Sequence, residues 1–329
     1  MKIAILDDYQ HAIHKLGCYD RLAGHEVTIW TDHTDDAAVL AHRLRDTEAL
    51  VLLRGRTRMN AALLTRLPRL KFISQSGHTE HIDLDTCTRL GILVSAISST
   101  RPSYATAELT WGLVIASLRN ICHEAQTLKG GGWQSSLGIG LRGRVLGVFG
   151  YGRLGSIVAG YGKAFGMDVL VWGRQTTLAK ARADGYAIAT SPEEFFARAD
   201  VLSVHVRYSS ETRHMIGPED LARMKATALF VNTSRAELVS PGALEQALQA
   251  GRPGKAAVDV YETEPAPAAY PLLAMDNALC TPHLGYVERD SHEFAFGNTF
   301  DQIVAYAQGN PVNVCNPAVI AANQRRPPQ

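Results

Sequence analysis

Short apolar strands alternate with helices through almost the whole chain. A first series of strands begins at Lys2–Leu6, and a second begins at Val145–Phe149. Near-continuous runs of β-branched and apolar residues are typical of strands that are buried on both faces of a sheet. Strands that alternate with helices form mostly parallel sheets with helices on both sides. We therefore predict an α/β fold with two doubly wound, Rossmann-like parallel-sheet domains.

The spacing of apolar residues predicts where these elements lie. Helical spacing predicts two long helices, one from Tyr104 to about Leu128 and one from about Asp290 to Ala307. A shorter helix is predicted at 154–165. The predicted strands are Lys2–Leu6, Glu26–Trp30, Ala49–Leu53, Lys71–Gln75, Leu93–Ser95, Val145–Phe149, Val169–Trp172, Val201–His205, Leu229–Asn232, Ala256–Val260 and Ala278–Thr281.

Composition argues against several classes of function. The formal net charge is +1 and the charges are interspersed, so the sequence predicts no nucleic-acid partner. The longest apolar stretch, 113–118, is too short to span a bilayer, and we expect neither a membrane span nor a signal peptide. Five scattered cysteines without a C-x-x-C pair indicate reduced thiols in a cytoplasmic protein. His78 and His81 lack a further ligand at suitable spacing, so no metal site is predicted.

A glycine-rich turn follows the first strand of the second series. Gly150, Gly152 and Gly155 have the spacing G-x-G-x-x-G, and a helical run follows from Leu154. In dinucleotide sites the first glycine permits a tight turn, the second lets the backbone approach the pyrophosphate, and the third lets helix and strand pack closely. The backbone N–H groups of Arg153 and Leu154 would meet the phosphates at the helix N-terminus. The turn predicts a dinucleotide site, although such turns also serve packing alone.

The next strand ends in a segment without a carboxylate, 171-VWGRQTT-177. An NAD site normally has Asp or Glu here, which accepts hydrogen bonds from the ribose hydroxyls. Gly173 and Arg174 stand there instead, and arginine forms charge-assisted hydrogen bonds to a phosphate. We therefore predict NADP or NAD as the cofactor, with NADP favoured. The alternative is that Arg174 stacks on the adenine or points to solvent, which leaves NAD usable.

Three polar segments begin where later strands of the second series end. They contain Arg235, Glu264 and His283, within the runs N-T-S-R, D-V-Y-E-T-E-P and T-P-H-L-G. Ligands of doubly wound sheets bind at these strand ends. Transfer of a hydride to a carbonyl group needs a cation that polarises the carbonyl, a role that arginine suits. It also needs a group that exchanges a proton near pH 7, for which histidine is the default. The alternatives are that Arg235 is a surface cation, Glu264 a solvated loop acid and His283 a structural histidine.

With these three motifs and the run 77-GHTEHID-83, the chain resembles the D-isomer-specific 2-hydroxyacid dehydrogenase family over nearly its whole length. The resemblance implies that Arg235 holds the substrate carboxylate and polarises its carbonyl. It implies that His283 is the acid/base, and that Glu264 hydrogen-bonds His283 and favours the imidazolium. Asp259 would face the nicotinamide carboxamide. A homodimer is implied in the same way, through the helix and loop around 104–140.

The resemblance also extends the predicted site to further residues. From the first strand series, the predicted substrate-binding residues are Arg54, Gly77 and His78. The predicted cofactor-binding residues are Gly150, Tyr151, Gly152, Arg153, Leu154, Gly155, Gly173, Arg174, Gln175, His205, Val206, Thr212, Asn232, Thr233, Ser234, Asp259 and Gly285.

At 329 residues, the chain exceeds the usual size of one hydrophobic core. We predict a dinucleotide-binding domain over residues 100–286, inserted into a discontinuous outer substrate domain formed by residues 1–99 and 287–329.

Two other functions share these features. One is a nicotinamide-sensing binding module that resembles the C-terminal-binding corepressors. The other is a dehydrogenase of another small anion, such as formate or phosphite. The intact set of Arg235, Glu264 and His283 favours an enzyme. Tyr286 and the two residues after it stand where the family commonly has small residues, which leaves the identity of the small 2-oxo or 2-hydroxy acid open.

Overall fold

A computed structural model describes residues 1–97 and 104–324 of the chain. Its contacts divide the chain into two compact units. The outer unit consists of Met1–Pro102 and Glu288–Gln329, and the inserted unit consists of Ser103–Val287. Each unit is built around one parallel sheet, which confirms the predicted fold class.

The described strands agree with the predicted ones to within a few residues. One two-residue strand, β8, was not predicted, because so short a run carries no periodic signal. The strands are β1 (Lys2–Ile5), β2 (Glu26–Ile29), β3 (Ala49–Leu53), β4 (Phe72–Ser76), β5 (Leu93–Ile97), β6 (Val145–Phe149), β7 (Asp168–Trp172), β8 (Ala187–Ile188), β9 (Val201–Val204), β10 (Leu229–Asn232), β11 (Lys255–Val258) and β12 (Ala278–Cys280).

Strand order identifies both sheets as doubly wound. The outer sheet has the order β2-β1-β3-β4-β5, and the inserted sheet has the order β12-β11-β10-β9-β6-β7-β8. Both orders reverse beside the first strand of the sheet, β1 in one and β6 in the other. Ligands of open parallel sheets bind at the carboxyl ends of the strands next to such a reversal. In the inserted sheet, β6 is the strand that leads into the glycine turn.

Helices connect the strands in both units. They are α1 (Ala37–Leu44), α2 (Ala61–Leu64), α3 (Leu84–Leu90), α4 (Ala105–Leu118), α5 (Ile121–Lys129), α6 (Arg153–Ala164), α7 (Gln175–Ala183), α8 (Pro192–Arg198), α9 (Pro218–Arg223), α10 (Ala243–Gln249), α11 (Arg289–Ala307) and α12 (Ala318–Gln324). In the ranges 1–97 and 104–324, none combines the length and apolar character needed to cross a bilayer.

The prediction of a single long helix from Tyr104 to about Leu128 is wrong, because the helix is interrupted between α4 and α5. Asn120 has a φ of 52°, a left-handed conformation that asparagine tolerates better than most residues. Lys255 Nζ donates hydrogen bonds to the Ser117 carbonyl, at 3.0 Å, and to the side chain of Asn120. Contacts from β11 therefore stabilise the end of α4. The second long helix is confirmed as α11.

Apolar side chains fill both faces of the inserted sheet. Phe230 of β10 packs in one cluster, whereas its neighbours Leu229 and Val231 pack in the cluster on the opposite face. In the outer unit, Phe72 of β4 stacks on Tyr306 of α11 with 4.3 Å between ring centroids. Burial on both faces leaves the strand ends as the part of each sheet where polar residues gather.

Candidate functional site

The glycine turn has the close contacts that its spacing predicts. Gly150 has a φ of 93°, and an added Cβ there would lie 2.8 Å from the carbonyl oxygen of His205. An added Cβ at Gly155 would overlap the carbonyl oxygen of Gly150. Gly152, by contrast, has no described atom within 4 Å of the place where its Cβ would stand, its two chain neighbours aside. Gly150 and Gly155 are therefore required by packing, whereas Gly152 leaves space at the N-terminus of α6.

That N-terminus can accept an anion. Helix α6 spans 12 residues, and among the described residues no side chain caps its first turn. The unpaired N–H groups of a first turn and the helix dipole both favour negative charge. A diphosphate is the kind of group that such a turn binds. The structure thus brings together the turn residues predicted from the sequence.

The end of β7 lies beside the same turn. An added Cβ at Gly173 would lie 3.5 Å from Gly150 Cα, so the two segments approach closely. Arg174 follows, is exposed, and precedes the first residue of α7. Segment 171–177 contains no carboxylate. The charged side chain of this segment is therefore the cation of Arg174.

Side chains at the ends of β9 and β10 organise the neighbouring loops. His205 Nε2 lies 2.8 Å from Ser203 Oγ, and burial lowers the pKa of His205 to about 4, so its ring is neutral at pH 7. Ser234 Oγ donates to the Val206 carbonyl at 2.7 Å. Thr233 and Thr110 pair through their hydroxyl groups at 2.7 Å. His205, Val206, Thr233 and Ser234 are predicted cofactor residues, and these hydrogen bonds hold them at neighbouring strand ends.

Arg235 follows β10 on a backbone fixed by Asn232. The side-chain amide of Asn232 donates to the Arg235 carbonyl at 2.8 Å, and the Asn232 side-chain oxygen accepts from Ser234 N at 3.0 Å. The Arg235 side chain is exposed, and Nη1 donates to the Ser234 carbonyl at 2.7 Å. Its guanidinium group is near enough to contribute to the lowered pKa of Glu264.

Glu264 and His283 form a hydrogen-bonded pair at the ends of β11 and β12. His283 Nδ1 lies 2.6 Å from Glu264 Oε2, and Glu264 Oε1 accepts from Tyr261 N at 3.1 Å. Burial raises the pKa of Glu264, but the hydrogen bond and charge of His283, the Tyr261 N–H and the charge of Arg235 together lower that pKa below its ordinary value. Because Nδ1 faces Glu264, Nε2 is the ring nitrogen that can exchange a proton with another molecule.

A buried carboxylate holds the turn that presents His283. Asp259 is fully buried and accepts from Thr281 Oγ1 at 2.6 Å, Leu284 N at 2.7 Å and Gly285 N at 2.8 Å. Burial raises the pKa of Asp259, and these hydrogen bonds oppose the rise. His283 itself has a φ of 51°, which is uncommon for a residue other than glycine. The three hydrogen bonds to Asp259 stabilise this turn.

The outer unit contains the three predicted substrate residues. Arg54 follows β3 with a φ of 60°, and its N–H donates to the Ser76 carbonyl at 3.1 Å. Gly77 and His78 follow β4, and Gly77 has a φ of 113°. The structure thus brings Arg54 and Gly77 to neighbouring strand ends of the outer sheet. Within residues 1–97 and 104–324, no group of three potential metal ligands is close enough to bind an ion.

Comparisons with known proteins agree with this geometry. The model of the D-isomer specific 2-hydroxyacid dehydrogenase family, NAD binding domain, matches residues 111–285. The glyoxylate reductase of Aeropyrum pernix is 35% identical over 312 residues, which cover 91% of this chain and 92% of the relative. The chain belongs to the D-isomer-specific 2-hydroxyacid dehydrogenase family.

Two solved structures resemble nearly the whole chain. An oxidoreductase from Ralstonia solanacearum is 50% identical, with a TM-score of 0.93 and 99% of each chain covered. A phosphoglycerate oxidoreductase from Vibrio cholerae O395 is 47% identical, with a TM-score of 0.89, and the match covers 94% of this chain and 99% of that one. The predicted family is therefore confirmed, and with it a nicotinamide-binding Rossmann domain in an oxidoreductase.

One aromatic residue beside the pair had no role assigned from the sequence. The ring of Tyr286 meets the His283 ring edge-on, with 5.4 Å between centroids. The signal for it was the departure from the small residues common in this part of the family. The sequence also did not reveal that Thr281 donates a hydrogen bond to Asp259. A threonine before a proline carries no distinctive pattern, so its role emerges only from the fold.

Proposed function

We propose that this family member reduces a small 2-oxo acid to the D-2-hydroxy acid with NAD(P)H, or catalyses the reverse oxidation. The 2.6 Å hydrogen bond between His283 Nδ1 and Glu264 Oε2 carries the proposal. A carboxylate at that distance stabilises the imidazolium, which is the form that donates a proton. A proton donor of this kind is what the reduction of a carbonyl group requires.

Arg235, His283 and Glu264 each have one role in the proposed reaction. Arg235 binds the substrate carboxylate and polarises the adjacent carbonyl group, for which its exposed guanidinium is suited. His283 Nε2 donates a proton to the carbonyl oxygen as negative charge develops there. Glu264 stabilises the imidazolium before transfer. When bound, the reduced nicotinamide supplies the hydride.

The remaining strand-end residues are assigned to the cofactor. The space at Gly152 and the uncapped first turn of α6 support a site for the pyrophosphate. The exposed Arg174, in a segment without a carboxylate, supports a preference for NADP over NAD. The other proposed cofactor residues are Tyr151, Arg153, Leu154, Gly155, Gly173, Gln175, His205, Val206, Thr212, Asn232, Thr233, Ser234, Asp259 and Gly285.

Arg54, Gly77 and His78 are proposed to contribute to binding the substrate carboxylate. Arg54 offers a cationic side chain and His78 a backbone N–H, which are groups that bind carboxylates. Gly77, whose own N–H donates to the Ile97 carbonyl at 3.0 Å, forms the turn that leads to His78. Replacing Arg54 with methionine keeps much of the side-chain length and removes the charge. A raised KM for the 2-oxo acid, with an unchanged KM for the cofactor, is the expected result.

The substrate is best identified by a spectrophotometric screen at 340 nm. Both reduced cofactors should be crossed with glyoxylate, hydroxypyruvate, pyruvate and 3-phosphohydroxypyruvate, because relatives are named for both glyoxylate and phosphoglycerate. Turnover of at least one acid supports the proposal. Tight binding of NADPH without turnover of any acid would favour a nicotinamide-sensing module instead. Oxidation of formate or phosphite with NAD(P) would identify a dehydrogenase of another small anion.

We also propose that the protein is a cytoplasmic homodimer. The five free cysteines support the location. Exposed apolar side chains on α5 and the loop after it support the interface, since such patches mark contact surfaces. They are Ile121 (49% exposed), Leu128 (59%), Trp133 (75%) and Leu137 (97%). Glu124 accepts hydrogen bonds from Ser135 and Ser136, which hold this loop against α5.

A further inference from the structure

Gln75 is a buried amide between two loops of the outer unit. It lies in β4, is fully buried, and pairs across the sheet with Leu52 of β3. Its Nε2 lies 2.9 Å from the carbonyl oxygen of Arg54 and 3.0 Å from those of Ser76 and His78, so the two N–H donors of the amide are shared among three acceptors. One side chain therefore links the loop after β3 to the loop after β4.

The orientation of this amide follows from its three partners. Carbonyl oxygens only accept hydrogen bonds, so the group that faces them must be the NH₂ group of the amide. The reverse orientation would place Gln75 Oε1 against three acceptors in a buried site, at a high cost in free energy. The NH₂ group of Gln75 therefore faces the three carbonyl groups and acts as their hydrogen-bond donor.

The loop that carries Arg54 has a conformation that needs such support. Arg54 and Gly77 have positive φ values, 60° and 113°. An added Cβ at Gly77 would lie 3.6 Å from Gln75 Nε2 and 3.7 Å from Arg54 Cδ, so the three residues pack closely. Positive φ costs free energy at a residue other than glycine, and it persists where neighbouring contacts hold the backbone.

We propose that Gln75 is a positioning residue that holds Arg54, Gly77 and His78 in the arrangement that binds the substrate carboxylate. This inference rests on the proposed role of these three residues in substrate binding. Gln75 contacts their backbone, so its effect on the substrate is indirect. By bonding the carbonyl groups of Arg54 and His78, the amide fixes the backbone that carries the Arg54 guanidinium group and the His78 N–H. Preorganised donors bind an anion at lower entropic cost.

Two variants test the proposal, and a third is a matched control. Gln75→Met keeps the side-chain length and removes the donor, whereas Gln75→Glu replaces the NH₂ group with an acceptor. Ser74→Ala is the control, because Ser74 is also buried in β4 but bonds the Thr299 carbonyl and the Gln302 side chain. All three changes remove buried hydrogen bonds, but only those at Gln75 affect the two loops.

The expected result is a selective effect on substrate binding. For the best 2-oxo acid of the screen, both Gln75 variants should raise KM by about tenfold, the effect of one or two lost hydrogen bonds. The value of kcat should change much less, because contacts made equally in ground and transition states act on KM. The dissociation constant of NADPH should be unchanged. Ser74→Ala should lower the melting temperature without changing KM.

Hydrogen exchange gives a readout that is independent of turnover. Amides in 54–58 and 77–82 should exchange faster in both Gln75 variants, and not in Ser74→Ala. Wild-type KM together with wild-type exchange in both Gln75 variants would overturn the proposal. Faster exchange in a protein whose wild type turns over no 2-oxo acid would retain the positioning of the loops and reject the proposed function.

Discussion

Glu264 and His283 are 19 residues apart in the chain, yet their side chains form a hydrogen bond of 2.6 Å. Parallel pairing of β11 with β12 places the ends of these strands side by side. Asp259, at the end of β11, then holds the turn that carries His283 through Leu284 N and Gly285 N. The sheet therefore sets the position of the pair, and the buried carboxylate of Asp259 stabilises the turn that carries the imidazole.

Replacing His283 with glutamine should remove most turnover. We expect kcat to fall by about 10²- to 10⁴-fold, the usual contribution of a general acid, because glutamine cannot exchange a proton near neutral pH. Glu264→Gln should have a smaller effect of the same kind. Glu262→Gln is the matched control, since Glu262 is a loop carboxylate nearby that bonds Tyr270. Steady-state kinetics measure turnover, and NADPH titration measures cofactor binding. An unchanged kcat in His283→Gln would reject the acid/base role.

Alanine at Gly152 and at Gly155 should have different effects. An added Cβ at Gly155 would overlap the Gly150 carbonyl oxygen, so Gly155→Ala should lower the melting temperature and weaken NADPH binding together. The added Cβ of Gly152→Ala meets no described protein atom within 4 Å beyond its two chain neighbours, so this variant should leave the melting temperature unchanged. It should still weaken NADPH binding if a phosphate lies against the turn. Unchanged NADPH affinity in Gly152→Ala would remove the pyrophosphate from this place.

Arg174→Asp should move the cofactor preference from NADPH towards NADH. A carboxylate repels a 2′-phosphate and accepts hydrogen bonds from ribose hydroxyls. We expect the ratio of kcat/KM for NADPH to that for NADH to fall by at least about tenfold, the loss of one charge-assisted hydrogen bond. Arg182→Asp makes the same charge change in the last turn of α7 and should leave the ratio nearly as in the wild type. Equal ratios in the two variants would argue against Arg174.

Acid should destabilise the protein through His205. Its pKa is about 4 in the folded protein and near 6.5 when unfolded, so between these values the unfolded state binds the additional proton. The free energy of unfolding should therefore fall by up to about 1.4 kcal/mol per pH unit from this group as pH drops from 6.5 to 4. Urea unfolding of wild type and His205→Asn across this range measures the difference. Ser203→Ala removes the same hydrogen bond but keeps the imidazole, so it should retain the pH dependence; the same slope in His205→Asn would contradict the assignment.

Polar residues at Trp133 and Leu137 should weaken the proposed dimer. Replacing both with serine removes two of the most exposed apolar side chains of the loop after α5. Light scattering after size exclusion should then report a monomer at concentrations where the wild type is a dimer. The control is Phe165→Ser, which changes an exposed aromatic residue outside this loop. A wild type that is monomeric at all concentrations would contradict the proposal.

Most elements were predictable because their signals are local. Apolar runs gave the strands, and helical spacing gave α11, since each pattern needs only neighbouring residues. The break at Asn120 was missed because its stabilisation comes from Lys255, which lies far along the chain. The predicted helix there had the correct apolar spacing on both sides of the break, so periodicity alone could not reveal it.

The motifs in the chain were sufficient for the family, for a nicotinamide cofactor and for a short set of residues to consider, because residue type and spacing are properties of the chain alone. Distances are not. Strand pairing set the approach of Glu264 to His283, the three donors around Asp259 and the contact of Gln75 with the Arg54 carbonyl, because each of these contacts joins segments that only a folded sheet brings together.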